Sequence, residues 1–328
     1  MPDQTLLAPP LPPEKFRFLT EGLERVQGYL IGSTALYLST LEYVQRGEVE
    51  GRVAEIGVHR GKSFIAMTVG LPEDQTALAI DIFDAQHLNM EATSVDALRD
   101  FKASLESWGL TDRVEIHEGS SLDLEDQGFC EEGRRFRLFS VDGGHLHYHV
   151  ANDLRLAEKT LAEGGVVAAD DFVNQHYLGV ITGIFEYLDG GGTLVPYALI
   201  PNKLLLTDAA SVERNRAQLR ELFGEGLTKA EVPFRDVTID VYGDPRWVVQ
   251  DLDGNTAELQ RNPNTVPELQ RLVSQLRRER NRVGAQRTRL RRRVSELEAA
   301  LHPTGRADVL PKALRAPARA VYRALRRR

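Results

Sequence analysis

Between about residue 14 and residue 45, Phe16, Leu19, Leu23, Val26, Leu30, Leu36, Leu38, Leu41 and Val44 recur at near-helical spacing, and Gly32-Ser33 interrupts them. The pattern predicts two helices. Ahead of them, prolines at 2, 9, 10, 12 and 13 predict an extended, non-helical arm. Beyond residue 48 the texture changes to short apolar runs at 53–57, 77–83, 114–117, 136–142, 165–169 and 203–207. Amphipathic stretches at 62–69, 94–107, 148–161 and 175–188 separate them. Apolar runs of this length in strand–helix–strand alternation predict an α/β fold, a doubly wound and mostly parallel sheet with helices on both faces. A helix at 212–223 and two β-like runs at 237–242 and 247–250 extend this domain as an appended edge.

After Pro263 the period changes again. Leu269, Leu276, Val283, Leu290 and Leu297 fall seven residues apart, with Val273, Val294 and Leu301 at the companion positions, which is coiled-coil spacing. Arg280 and Arg287 interrupt the seam, so its use is either self-association or a solvated basic helix. The last stretch spaces Leu310, Leu314, Val321, Tyr322 and Leu325 among arginines, the pattern of a basic amphipathic segment at an anionic membrane surface or of a solubilising tail. The expected division is therefore 1–47 (arm and helices), 48–262 (main domain), 263–302 (coil) and 303–328 (basic tail).

Charge sharpens this division. The net charge of -7 conceals 18 Lys and Arg against 5 Asp and Glu in 264–328, which leaves 23 against 43 in residues 1–263. An acidic body argues against a nucleic-acid partner over the main domain. A single cysteine, Cys130, excludes an internal disulfide, and no window is long and apolar enough to span a membrane. The expected location is cytoplasmic, with peripheral contact at the inner membrane face if the tail binds there.

The chemistry gathers at the ends of the apolar runs. The first ends in Glu55-Ile-Gly57-Val-His-Arg-Gly61, a turn whose glycines let a ligand approach the backbone. The second carries Asp81 at its tip, an acceptor suited to the paired hydroxyls of a ribose. Ser120 follows the third. Asp142 ends the fourth run, with His145 three residues on, and Asp170-Asp171 end the fifth. Three carboxylates at the tips of adjacent parallel strands repel one another unless a cation joins them, and oxygen ligands suit Mg²⁺, Mn²⁺ or Ca²⁺. Simple helix capping and strand ending by these aspartates is the alternative. His145, His147 and His149 alternate, but a helical pattern starts among them, so no shared imidazole face is expected.

As a set, E-x-G-x-x-x-G followed by Asp81 resembles the class I S-adenosylmethionine-dependent methyltransferases, over about residues 50–207. The resemblance implies that Glu55, Gly57 and Gly61 line the methionine end of the cofactor, Asp81 its ribose and Ser120 its adenine. The Asp142 and Asp170-Asp171 pairing resembles the metal-dependent O-methyltransferases, the catechol-type and macrolide-sugar enzymes. It implies Asp142, Asp170 and Asp171 as ligands of Mg²⁺ or another hard divalent cation. His145 stands where the catechol-type enzymes carry a lysine base, and its imidazole suits that task. The expected activity is O-methylation of a hydroxyl on a sugar, glycan or glycosylated metabolite, with S-adenosyl-L-methionine as donor. A non-catalytic scaffold, a related metal-dependent oxygenase and a nucleic-acid methyltransferase are the rival readings.

Overall fold

A computed structural model describes residues 5–83, 85, 96–124, 129 and 135–260. The chain divides into two units, 1–262 and 263–328. The expected coil and basic tail lie outside the described residues.

The N-terminal arm is a strand. β1 (Thr5–Leu11) buries Leu6, Ala8 and Leu11 and pairs in parallel with a strand near the end of the described chain. The register shifts between Leu7 and Pro10, so the prolines sit where the ladder is irregular. The first predicted helix is short: α1 (Pro13–Arg17) starts on a proline at its first turn and passes into a π-helical turn at Phe18–Gly22. The second is α2 (Gly32–Gln45), which is buried along nearly its whole length.

The main domain follows in the order β2 (Arg52–Ile56), α3 (Lys62–Thr68), β3 (Ala77–Asp81), α4 (Ala97–Ser107), β4 (Val114–Glu118), β5 (Phe136–Val141), α5 (His147–Thr160), β6 (Leu161–Ala169) and α6 (Leu178–Asp189). After it come β7 (Val195–Ile200), β8 (Lys203–Thr207), α7 (Val212–Phe223), β9 (Leu227–Phe234), β10 (Val237–Tyr242), β11 (Arg246–Asp251) and β12 (Thr256–Glu258). The described strands form one nine-stranded sheet ordered β4-β3-β2-β5-β6-β8-β7-β10-β9 and a small sheet β1-β11-β12.

From β4 to β6 every pairing is parallel, as the apolar runs predict. The predicted parallel run is interrupted there, because β8 runs antiparallel to both β6 and β7, and a parallel pairing returns between β7 and β10. The predicted edge is divided as well: β10 joins the main sheet beside β7, whereas β11 leaves it to pair with β1. Alternation along the strands explains why both faces of the sheet are covered. Val53, Leu138, Val166 and Leu205 enter one apolar cluster, with α2 and α3, while Ala54, Phe139, Val167 and Leu206 enter the other, with α5 and α6. Among the described residues no helix is long and apolar enough to cross a membrane.

Candidate active site

The carboxyl ends of β2, β3, β5 and β6 point the same way, and backbone contacts bind the loops that leave them. Gly57 has φ 87°, and a side chain there would put Cβ 1.7 Å from the Asp142 carbonyl oxygen, so only glycine fits. Gly57 N–H donates to Ile80 O (2.9 Å) and Asp142 N–H to Ile56 O (2.8 Å), which joins three strand tips. Gly61 (φ 89°) has the Phe101 ring where its Cβ would be. Asp81 completes this frame by accepting the backbone N–H of His59 (2.7 Å) and of Phe83 (2.6 Å) on its two oxygens.

Glu55 lies under the turn and is fully buried. It accepts Ser63 Oγ at 2.6 Å, and burial, against the opposing charge of Lys203, pushes its carboxyl up to about 7. Ser120 caps a short turn by accepting the Leu122 N–H (3.2 Å). His147 meets Glu186 at 2.5 Å and His149 packs against Gly144, so the alternating histidines separate, as the helical pattern predicts.

One ring nitrogen of His145 and one carboxylate oxygen each of Asp142 and Asp171 all lie within 4.8 Å of one another, and each residue is partly exposed. His145 Nε2 is 3.1 Å from Asp171 Oδ2, and Tyr177 stacks on the imidazole with ring centroids 3.7 Å apart. Burial alone would raise the Asp171 carboxyl, but hydrogen bonds from His145, Asn174 and Asn202 outweigh it and hold the group at about 2. Two oxygens and an imidazole, one oxygen firmly anionic, form a donor set that fits a hard divalent cation.

Asp170 is engaged elsewhere. Its Oδ2 is 2.7 Å from Nζ of Lys203, which has no exposed side-chain surface and is also 3.7 Å from Asp142. These carboxylates hold the Lys203 ammonium above its ordinary value against the cost of burial. Burial and the Asp170 charge raise the Asp142 carboxyl well above its usual range, with Lys203 opposing them. Lys203 and Asn202 are the site residues that the sequence pattern did not single out. A charged residue opening the apolar run 203–207 was the available signal for the lysine.

Residues 54–172 match a family model described as a methyltransferase domain. Caffeoyl-CoA O-methyltransferase 1 of Zea mays is 28% identical over 190 residues, 54% of this chain. The chain spans 62% of that protein's length. The O-methyltransferase NovP is similar over 53% of this chain and 78% of its own, at 17% identity and a TM-score of 0.45. TomG from Streptomyces achromogenes, an O-methyltransferase involved in tomaymycin synthesis, covers 53% and 80% at 19% identity and a TM-score of 0.41. Over residues 54–172 the chain is therefore similar to a methyltransferase domain.

Proposed function

We propose that this protein transfers the methyl group of S-adenosyl-L-methionine to a hydroxyl of a sugar, glycan or glycosylated metabolite, assisted by Mg²⁺ or a similar cation. The observation that carries the reading is the grouping of Asp142, His145 and Asp171 beside the Gly57 turn, within one methyltransferase domain. Asp81 would hold the cofactor's ribose, since a carboxylate that accepts two backbone N–H groups retains acceptor capacity. Asp142 and Asp171 would hold the cation. Such an ion supplies positive charge that lowers the cost of deprotonating a bound hydroxyl.

His145 takes that proton. Its neighbour Asp171, 3.1 Å from Nε2, favours the imidazolium that results, and Tyr177 keeps the ring in place. Lys203 occupies Asp170, so the remaining contribution of the protein is positioning and charge stabilisation. A sugar acceptor suits the hydrogen-bonding side chains Asn174 and Asn202 at the cluster and the low aromatic content of 7%.

Isothermal titration with S-adenosylhomocysteine, on wild type and Asp81→Ala, tests the cofactor. Micromolar binding that the variant loses is expected; absence of binding by wild type removes the methyltransferase reading and leaves a scaffold. With binding established, a panel of nucleotide sugars, glycosides and phenols assayed with Mg²⁺ and with chelator tests the acceptor class, and turnover of phenols alone rejects the sugar.

A further inference from the structure

Gly143 and Gly144 are the two residues between Asp142 and His145, and at each of them a polar atom of α5 stands where a Cβ would be. At Gly143 the atom is Asp153 Oδ2, 2.6 Å from that position; at Gly144 it is His149 Nδ1. The two side chains are one helical turn apart, so α5 turns a polar face to the loop. Both atoms are shielded from solvent, and neither has a hydrogen-bond partner among the described residues.

Asp153 carries the larger penalty. It is fully buried, whereas His149 is half-buried, and burial together with the neighbouring His145 favours the neutral ring there. Burial also raises the Asp153 carboxyl, to about 6, which leaves it an acceptor at neutral pH. Its Oδ1 is engaged: it accepts Asn152 Nδ2 (3.1 Å), and the Ser121 hydroxyl bonds the same carboxyl. Asn152 Nδ2 also reaches the Ser121 carbonyl (3.2 Å), so this part of α5 is fastened to the turn after β4. Oδ2 is left over, and a buried acceptor without a donor costs free energy. The donors that a pair of glycines can offer it are backbone N–H groups. We infer that Asp153 is a positioning residue of the candidate active site: in the cation-loaded protein its Oδ2 accepts a backbone N–H of the loop 143–145, which fixes Asp142 and His145 relative to each other. A bond made in the loaded state and not in the empty one adds to cation affinity, because only a difference between two states shifts their balance. The inference rests on the methyltransferase reading with its cation, and adds to it a residue that acts through the loop.

The test uses the full chain, wild type and Asp153→Asn, which keeps the size of the side chain and removes its charge. Mn²⁺ binding, followed by the electron paramagnetic resonance signal of the free ion, should be roughly 10-fold weaker in the variant, the effect of one charge-assisted hydrogen bond. S-adenosylhomocysteine affinity should be unchanged by isothermal titration. The cation-free melting temperature should equal or exceed that of wild type, because an unpaired buried charge is gone. In wild type, a measurement that needs no variant, amide hydrogen exchange over 143–145 should slow when Mg²⁺ is added. Equal Mn²⁺ affinity of the two proteins, or exchange that Mg²⁺ leaves unchanged, overturns the inference and leaves the methyltransferase reading intact. A lowered cation-free melting temperature with parallel losses for both ligands overturns it too, and makes Asp153 a structural residue. Asn152→Ala, which loosens the hold on the turn after β4, should keep wild-type Mn²⁺ affinity; a loss equal to that of Asp153→Asn moves the effect to that turn and refutes a role at the loop. Wild type that binds S-adenosylhomocysteine but no Mn²⁺ removes the cation and the inference with it, and wild type that binds neither removes the underlying reading as well.

Discussion

Glu42 is a buried carboxylate that ties the N-terminal segment to the main domain, and Glu42→Gln measures how much that tie contributes. The side chain, on α2, is fully buried. It accepts Lys15 Nζ (2.8 Å) from α1, Arg46 Nη2 (2.6 Å) from its own helix's end, and Arg137 Nη2 (2.6 Å) from β5. Lys15 also donates to Met67 O at the end of α3 (2.9 Å). Burial would raise the carboxyl, but the three cations overcome it and hold it at about 2, below the ordinary 4.5. At roughly 1.36 kcal/mol per pH unit, this drop corresponds to about 3 kcal/mol of folding stability. It agrees with the ~3 to 5 kcal/mol expected when one partner of a buried ion pair is removed.

The sign follows from the direction of the shift. A carboxyl depressed on folding stabilises fully above about 4.5, and the contribution is lost as pH falls toward 2. Urea unfolding followed by circular dichroism should therefore show Glu42→Gln about 3 kcal/mol less stable at pH 7, with the gap closing progressively below pH 4.5. Lys15→Met should cost much less. Burial, with repulsion from Arg46 and Arg137, outweighs the pull of Glu42 and lowers the Lys15 ammonium, so removing it also removes a penalty. A Glu42→Gln protein within ~1 kcal/mol of wild type at pH 7, or equal losses in the two variants, would refute this reasoning.

Two further substitutions probe the site frame. Lys203→Met leaves Asp142, Asp170 and Glu55 without their shared cation; it should lose about 3 kcal/mol or more at pH 7 and regain stability toward pH 5, as the stranded carboxyls take up protons. Melting temperatures at the two pH values check it, and a variant equally stable at both contradicts the assignment. Gly57→Ala meets backbone at the Asp142 carbonyl and carries a strained φ of 87°, so it should cost at least about 3 kcal/mol and weaken S-adenosylhomocysteine binding. Denaturant midpoints and titration check both effects, and wild-type values in both would show that the strand tips separate freely.

The parts of the fold that were legible are those in which one strand buries both faces. β2, β3, β5 and β6 are continuous apolar runs, so their positions and the chemistry at their tips could be read directly. β9 resists such reading because it is an edge strand with no apolar run and no buried position, Thr228 to Glu231 being exposed in succession. β1 was obscured by its prolines, which a sheet edge with a register shift tolerates and a central strand would not. At the site the sequence places Asp142, Asp170 and Asp171 at neighbouring tips, but it cannot divide them. That division depends on Lys203, which arrives from a strand running the opposite way, and on Asn202 in the tight turn before it, with φ 69°. Neither is close in sequence to the carboxylates it contacts.

The division of the aspartates also bears on which cation the site would take. Asp142, Asp170 and Asp171 carry three negative charges when ionised, and Lys203 returns one positive charge, spent mainly on Asp170 at 2.7 Å. Asp171 is satisfied by neutral donors, Asn174 and Asn202, and by His145, so its charge is not cancelled while the imidazole is neutral. Burial favours the neutral form of Asp142, so a residual charge of two lies on the Asp142 and Asp171 side of the crevice only once a bound cation draws that carboxyl into its ionised form. A monovalent ion leaves half of it, and a second lysine would fill the space that an acceptor needs. A divalent ion would balance it and still have coordination positions for an acceptor's oxygen, because Asp142 and Asp171 offer one oxygen each while hard divalent cations take about six. By this argument the buried lysine does more than stabilise the fold: by occupying Asp170, it leaves one cation position in a cluster that would otherwise have the charge for two.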